Sequence, residues 1–117
     1  LCLLNSSYCA VHTAMTDAEL VLAVAEKVIG ETKIEDGKLY WYNGWWNLFD
    51  PLVNWNATWQ IVEAMQARGW SFMLVTFITT KEGRAVFQIH GPAISDVTNS
   101  NPQRAILEAA LLATEGE

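Results

Sequence analysis

Over residues 16–30 the apolar and polar positions follow a helical period. Leu20, Val21, Val24 and Val28 line one face, with Leu22, Ala25 and Ile29 adjoining it, while Glu19, Ala23, Glu26 and Lys27 form a narrower wet side. Thr16-Asp17-Ala18-Glu19 has the spacing of a capping box, in which the threonine hydroxyl accepts from the Glu19 amide and the glutamate reaches back, so the helix starts there. Gly30 ends it. The pattern then changes. Lys33-Ile34-Glu35 and Lys38-Leu39-Tyr40-Trp41-Tyr42 flank Asp36-Gly37, the dipeptide that favours a two-residue type I′ hairpin. Asn43 to Pro51 carries breakers and bulky rings without a period, and is either a loop folded over the core or the rim of a pocket.

A second helical pattern covers Ala57 to Arg68, with Ile61, Val62 and Met65 inward beside Trp59. Asn54 and Asn56 both suit its N-cap, and Arg68-Gly69 supplies the stop signal. Trp70 to Thr79 is apolar on both faces, which places it at the centre of a sheet with cover on either side. Lys81-Glu82-Gly83 is a hairpin loop in which the glycine can take positive φ, and Arg84 to His90 returns antiparallel before Gly91-Pro92. Ala93 to Ser100 is polar and turn-rich. Asn101-Pro102 caps a last helix, Gln103 to about Thr114, whose Ile106, Ala109, Ala110 and Ala113 lie beside Leu107 and Leu111. Its alanines allow close approach to a sheet. The elements predict an α+β protein, a three-layer helix/sheet/helix sandwich with a small antiparallel sheet of about 3–4 strands and three helices.

A chain of 117 residues, 51% hydrophobic and 17% charged, has the composition of one folded domain. That domain is expected over 15–117. Residues 1–14 carry no Lys or Arg, and Met15-Thr16-Asp17 reads like a start, so the leader is expected to be a disordered segment or an upstream extension. The net charge of −6 comes with seven scattered basic residues, which argues against nucleic acid and against an anionic membrane surface as partners. No run approaches the ~20 apolar residues of a membrane span. Cys2, Cys9 and His12 lack a fourth ligand, so neither a metal nor any other cofactor is expected.

Lys38 to Trp59 holds five of the six tryptophans. Trp41, Trp59 and Trp70 suit the space between sheet and helices. Trp45, Trp46 and Trp55 are either a lid over the core or a binding surface, an aromatic cleft that stacks a flat or cationic ligand. Asp50 would then supply charge, and Asn47 and Asn54 hydrogen bonds. His90 is the general-base candidate in the body of the chain, with Asp96 or Glu63 as its acid, but no nucleophile motif accompanies it.

From Trp45 onward an ordered set of motifs resembles the phage ABA sandwich domain family. It comprises Trp45-Trp46-Asn47 with Asp50-Pro51, Asn54-Trp55-Asn56-Ala57, and Trp59-Gln60-Ile61-Val62-Glu63-Ala64-Met65. Arg68-Gly69 and Asn101-Pro102 before Ala105-Ile106-Leu107-Glu108-Ala109-Ala110-Leu111 complete it. With the capped first helix and the Asp36-Gly37 hairpin, the likeness covers roughly residues 15 to 115. It implies a layered helix/sheet/helix fold and no established enzymatic activity. The expectation is a soluble, non-enzymatic phage or prophage accessory protein of the bacterial cytoplasm, binding an unknown protein or small molecule through its Trp-rich loop. A small hydrolase using His90 with Asp96 or Glu63 is the alternative, and self-association as a homo-oligomer through an aromatic patch is a further option.

Overall fold

The capping box forms as its residues require. Glu19 N donates to Thr16 Oγ1 at 3.2 Å and Thr16 N to Glu19 Oε1 at 2.9 Å, and helix α1 runs over Asp17–Val24. The structure, a computed structural model, describes residues 15–42, 44–89 and 94–115. Cys2, Cys9, His12 and the leader 1–14 lie outside the described residues, as do His90, Gly91 and Pro92. Past α1 the helix widens into one π-helical turn, Ala25–Ile29, closed where Gly30 N donates to the Ala25 carbonyl with φ at 102°. Arg68, at the end of the next helix, donates to the Lys27 carbonyl at 2.6 Å, satisfying part of this open helix end.

The Asp36-Gly37 turn takes the expected type I′ form, with φ of 53° and 75°. It joins β1 (Thr32–Glu35) to β2 (Lys38–Tyr42), with Glu35 opposite Lys38. A third strand, β3 (Trp46–Leu48), then pairs with β2, placing Trp46 opposite Tyr42 and Leu48 opposite Tyr40. Trp46, Asn47 and Leu48 are therefore sheet residues, contrary to the loop expected there. Gly44, at φ 112°, provides the reversal, and three residues are too few to display an alternation in sequence.

Asn54 caps helix α2 (Trp55–Ala67), its side chain accepting from Asn56 N at 2.9 Å. Trp55 is thus the first helical residue rather than a loop residue. Ile61, Val62 and Met65 fill the interior, and Trp70 is buried as expected. Trp59 departs from expectation: it keeps 39% of its surface exposed, resting with one edge on Phe72 at 6.1 Å between ring centroids. Trp41 is half-buried.

A second antiparallel meander contains β4 (Ser71–Thr76), β5 (Gly83–Gln88) and β6 (Ile94–Asn99), in that spatial order. The strand expected at the centre, β4, is an edge, and Met73 on its outer face is half exposed. β5 occupies the centre because β6 forms from the segment read as turn-rich. Its inward residue Ser95 hid the pattern; Ser95 is buried and donates to the Ala109 carbonyl at 2.8 Å. Helix α3 (Pro102–Glu115) lies on this sheet and also packs against α1 and α2, so Ala105 through Leu111 is buried without a break. Asn101 caps it, accepting from Gln103 N at 3.0 Å. Gly83 serves a purpose other than the expected positive φ, which falls on Lys81 at 59°. A Cβ on Gly83 would sit 2.6 Å from Pro102 Cα, so the glycine lets β5 start directly against α3.

Among the described residues the α+β class and the three helices stand, with two antiparallel sheets of three strands each. Among the described residues no helix is long and apolar enough to cross a membrane. No group of three or more His, Cys, Asp or Glu among them can hold a metal ion.

Candidate functional site

The Asp50-Pro51 turn is fixed from within. Val53 N and Asn54 N both donate to the Asp50 carbonyl, at 3.0 and 2.9 Å. Next to it the Pro51 carbonyl accepts from Thr58 Oγ1 at 2.5 Å and from Gln103 Nε2 at 3.1 Å, both buried. Two helices thereby hold one turn, since Gln103 also donates to Thr58 Oγ1 at 3.2 Å. Neither Thr58 nor Gln103 carries a sequence signal for this, because each is an ordinary polar residue near a helix start.

The turn forms one wall of an apolar groove of about 440 Å³. Val21 and Leu22 of α1, Ile34 and Leu39 of the first hairpin, and Phe49, Leu52 and Val53 on either side of the aspartate in sequence also line it. Val21 and Leu22 belong to the apolar face read in the sequence, but the core takes Leu20, Val24, Ala25 and Val28, and these two are only partly buried. Two carboxylates line the groove. Asp17 is engaged by the Arg104 guanidinium, which also donates to Glu108 Oε2 at 2.8 Å and to the Met15 carbonyl at 2.7 Å. Asp50 has no such cation: its Oδ1 is buried with no hydrogen-bond partner among the described residues. Behind Arg104, burial pushes the Glu108 carboxyl above its ordinary value, against the pull of Arg104 and of the Asn99 amide, which donates at 3.2 Å.

A different surface carries the rings. The pleat sends Lys33, Tyr40, Tyr42, Trp46 and Leu48 to the outer side of the first sheet, while Ile34, Leu39, Trp41 and Asn47 face the other way. Trp46 is 38% exposed, packs on Tyr42 at 5.1 Å between centroids, and lies 4.7 Å beneath Lys33 Nζ. Trp45, in the turn before it, is 72% exposed. Lys33 was not foreseen as part of this cluster, although its cross-strand relation to Tyr40 follows once the hairpin register is known.

The predicted site residues therefore separate. Trp45 and Trp46 lie at the outer sheet face. Trp55 pairs with Trp59 on α2 at 5.5 Å, continuing through Phe72 to Phe87 in the core. Asn47 and Asn54 line a smaller depression of about 230 Å³ with Trp41 and Gln60, and Asn47 also donates to the Trp45 carbonyl at 3.1 Å. Of these predicted residues Asp50 alone lines the apolar groove. Of the hydrolase set, Asp96 is held by Arg84 through two hydrogen bonds of 2.9 and 2.5 Å, and this contact keeps its carboxyl below the ordinary value. Glu63 is exposed on α2.

The architecture defines a class of small α+β protein. No family model and no curated protein matches the chain. Among solved structures it is similar to a phage protein from Bacillus cereus ATCC 14579, with a TM-score of 0.61 and 18% identity over 86% of this chain and 93% of that one. The likeness is one of fold.

Proposed function

We propose that this chain is a non-enzymatic phage accessory protein that binds a partner protein through the aromatic outer face of its first sheet. The observation that carries the reading is the solvent-facing cluster of Tyr42, Trp46 and Leu48, with Trp45 standing almost clear of the surface beside it. Rings and aliphatic side chains gathered on one exposed face are the usual anchors of a protein interface, where tryptophan and tyrosine dominate the binding energy. Support for the phage assignment comes from the fold shared with the Bacillus cereus phage protein and from the family resemblance of the Trp-rich motifs.

A photo-crosslinking side chain at position 45, introduced into the full chain in bacterial cells, tests the reading. One dominant adduct is expected, lost when Trp46→Ala is added and absent when the crosslinker stands at Met73 on the second sheet. Equal labelling from both positions would sink the proposal. An adduct of twice the chain's own mass, together with concentration-dependent light scattering, would replace the foreign partner by a second copy of the chain.

A further inference from the structure

The free side of β4 asks for something that the single chain does not supply. Phe77 N donates to the Glu82 carbonyl, and bonded and non-bonded pairs alternate along an antiparallel ladder, so Val75, Met73 and Ser71 also spend their backbone groups on β5. The amides and carbonyls of Phe72, Leu74 and Thr76 therefore point the other way, to the side where, among the described residues, the sheet has no further strand. Every residue of β4 keeps some exposure, the inward Phe72 and Leu74 included, whereas the inward Ala85 and Phe87 of β5 are fully buried. Trp59 against Phe72, Met73 on the outer face and Phe77 just past the strand are exposed as well. β4 has the side chains of a central strand in the position of an edge. Its six residues are apolar on both faces and include neither a charge nor a proline, the usual guards of an edge, while β6 on the far side carries Asp96.

We infer that the protein pairs with a second copy of itself along β4, antiparallel about a two-fold axis through Leu74, so that the two second sheets become one with β4 at its centre. In that register Phe72 stands opposite Thr76 of the second copy, Met73 opposite its Val75, and Leu74 opposite Leu74, and the outward amides and carbonyls of each copy meet those of the other. The edge is thus its own complement, with hydrocarbon against hydrocarbon and no like charges facing each other. Two chains of net charge −6 repel, and of the three six-residue strands only β4 lacks a charged side chain, so two copies approach there at the least electrostatic cost. An axis normal to the sheet also keeps the helices of both copies on one side. It brings α2, the helix beside β4, with its exposed Trp55 and Trp59, toward its counterpart.

The test follows the full chain by light scattering and by amide hydrogen exchange across the micromolar-to-millimolar range. The mass is expected to double with concentration, and the amides of Phe72, Leu74 and Thr76 to lose their fast exchange in step with it, while those of Met73 and Val75, already bonded within the chain, change less. Met73→Lys, at a half-exposed position, should keep the far-UV spectrum, halve the mass and restore fast exchange at the three amides, because it sets an ammonium in the apolar seam. Trp46→Ala should leave the pair intact. A crosslinker at Met73 gives a doubled mass and never the foreign adduct of position 45, so this pairing and the reading of the aromatic face fail separately. A single-chain mass at every concentration, a doubled mass without protection of those three amides, a pair that survives in folded Met73→Lys, or one that is lost in Trp46→Ala would each overturn the inference. If Met73→Lys does not fold, exchange in the unaltered chain decides alone.

Discussion

The two sheets have the same size and the same meander order, yet they do different work. The second sheet lays Phe72, Ala85, Phe87, Ser95 and Val97 on α3, and its central strand carries the largest fully buried side chain, Phe87. The first sheet contributes Leu39 and Trp41 only as partly buried residues and turns most of its rings outward. Cover on one face and length of strand decide the matter: β4, β5 and β6 have six residues each, β1 four and β3 three. Stability is concentrated in the second sheet and α3, and the first sheet is left to present a surface.

Deleting core volume from each sheet tests this division most severely. Phe87→Ala should cost about 3–5 kcal/mol in denaturant unfolding, whereas Trp46→Ala should stay within about 1 kcal/mol because its ring is already partly in water. Similar losses at both sites would end the contrast. The next largest effect is expected at the seam with α3, where Gly83→Ala must push against Pro102 and should destabilise by about 1–3 kcal/mol. Gly44→Ala in the first sheet meets no neighbouring atom and should act only through its positive φ, at about 1–2 kcal/mol.

Proton linkage should differ in sign between the regions. Burial raises the Glu108 carboxyl in the folded protein above its ordinary value of 4.5, so the folded state holds the proton more firmly than the unfolded one. Its share of stability is complete below that ordinary value and is lost as pH rises through the raised one. Glu108→Gln should remove this decline from a plot of urea midpoint against pH. Glu35 behaves oppositely: Lys33, bonded to it at 2.8 Å, lowers its pKa, so its small share is present above 4.5 and lost on acidification. The smallest effect is expected for Lys33→Ala, which removes the ammonium over Trp46. A loss of about 0.5–1 kcal/mol, with a changed tryptophan emission, is the expected outcome.

Local chemistry made much of this architecture readable. The Thr16 capping box, the Asp36-Gly37 turn, the Asn54 cap and the Asn101-Pro102 start each depend on residues within a few positions of one another, and all four form. What escaped depends on partners distant in sequence. β3 and β6 are recognisable only beside β2 and β5, and β4 was misplaced because two apolar faces do not reveal whether a neighbour exists on both sides. The candidate site was legible residue by residue but not as an assembly. Asp50 and the tryptophans stood out by type, while the placing of Asp50 beside the groove depends on a turn fixed by Thr58 and Gln103.

The brevity of β3 has one more effect. An open strand edge is a template on which other chains can add, and three residues offer very little of one. The opposite edge, β1, carries Lys33 and Glu35 joined as an ion pair. Bare rings can thus be displayed on a sheet that is poor at growing sideways, so anything that engages them must approach face-on, through side chains, and can leave again without having become part of the sheet.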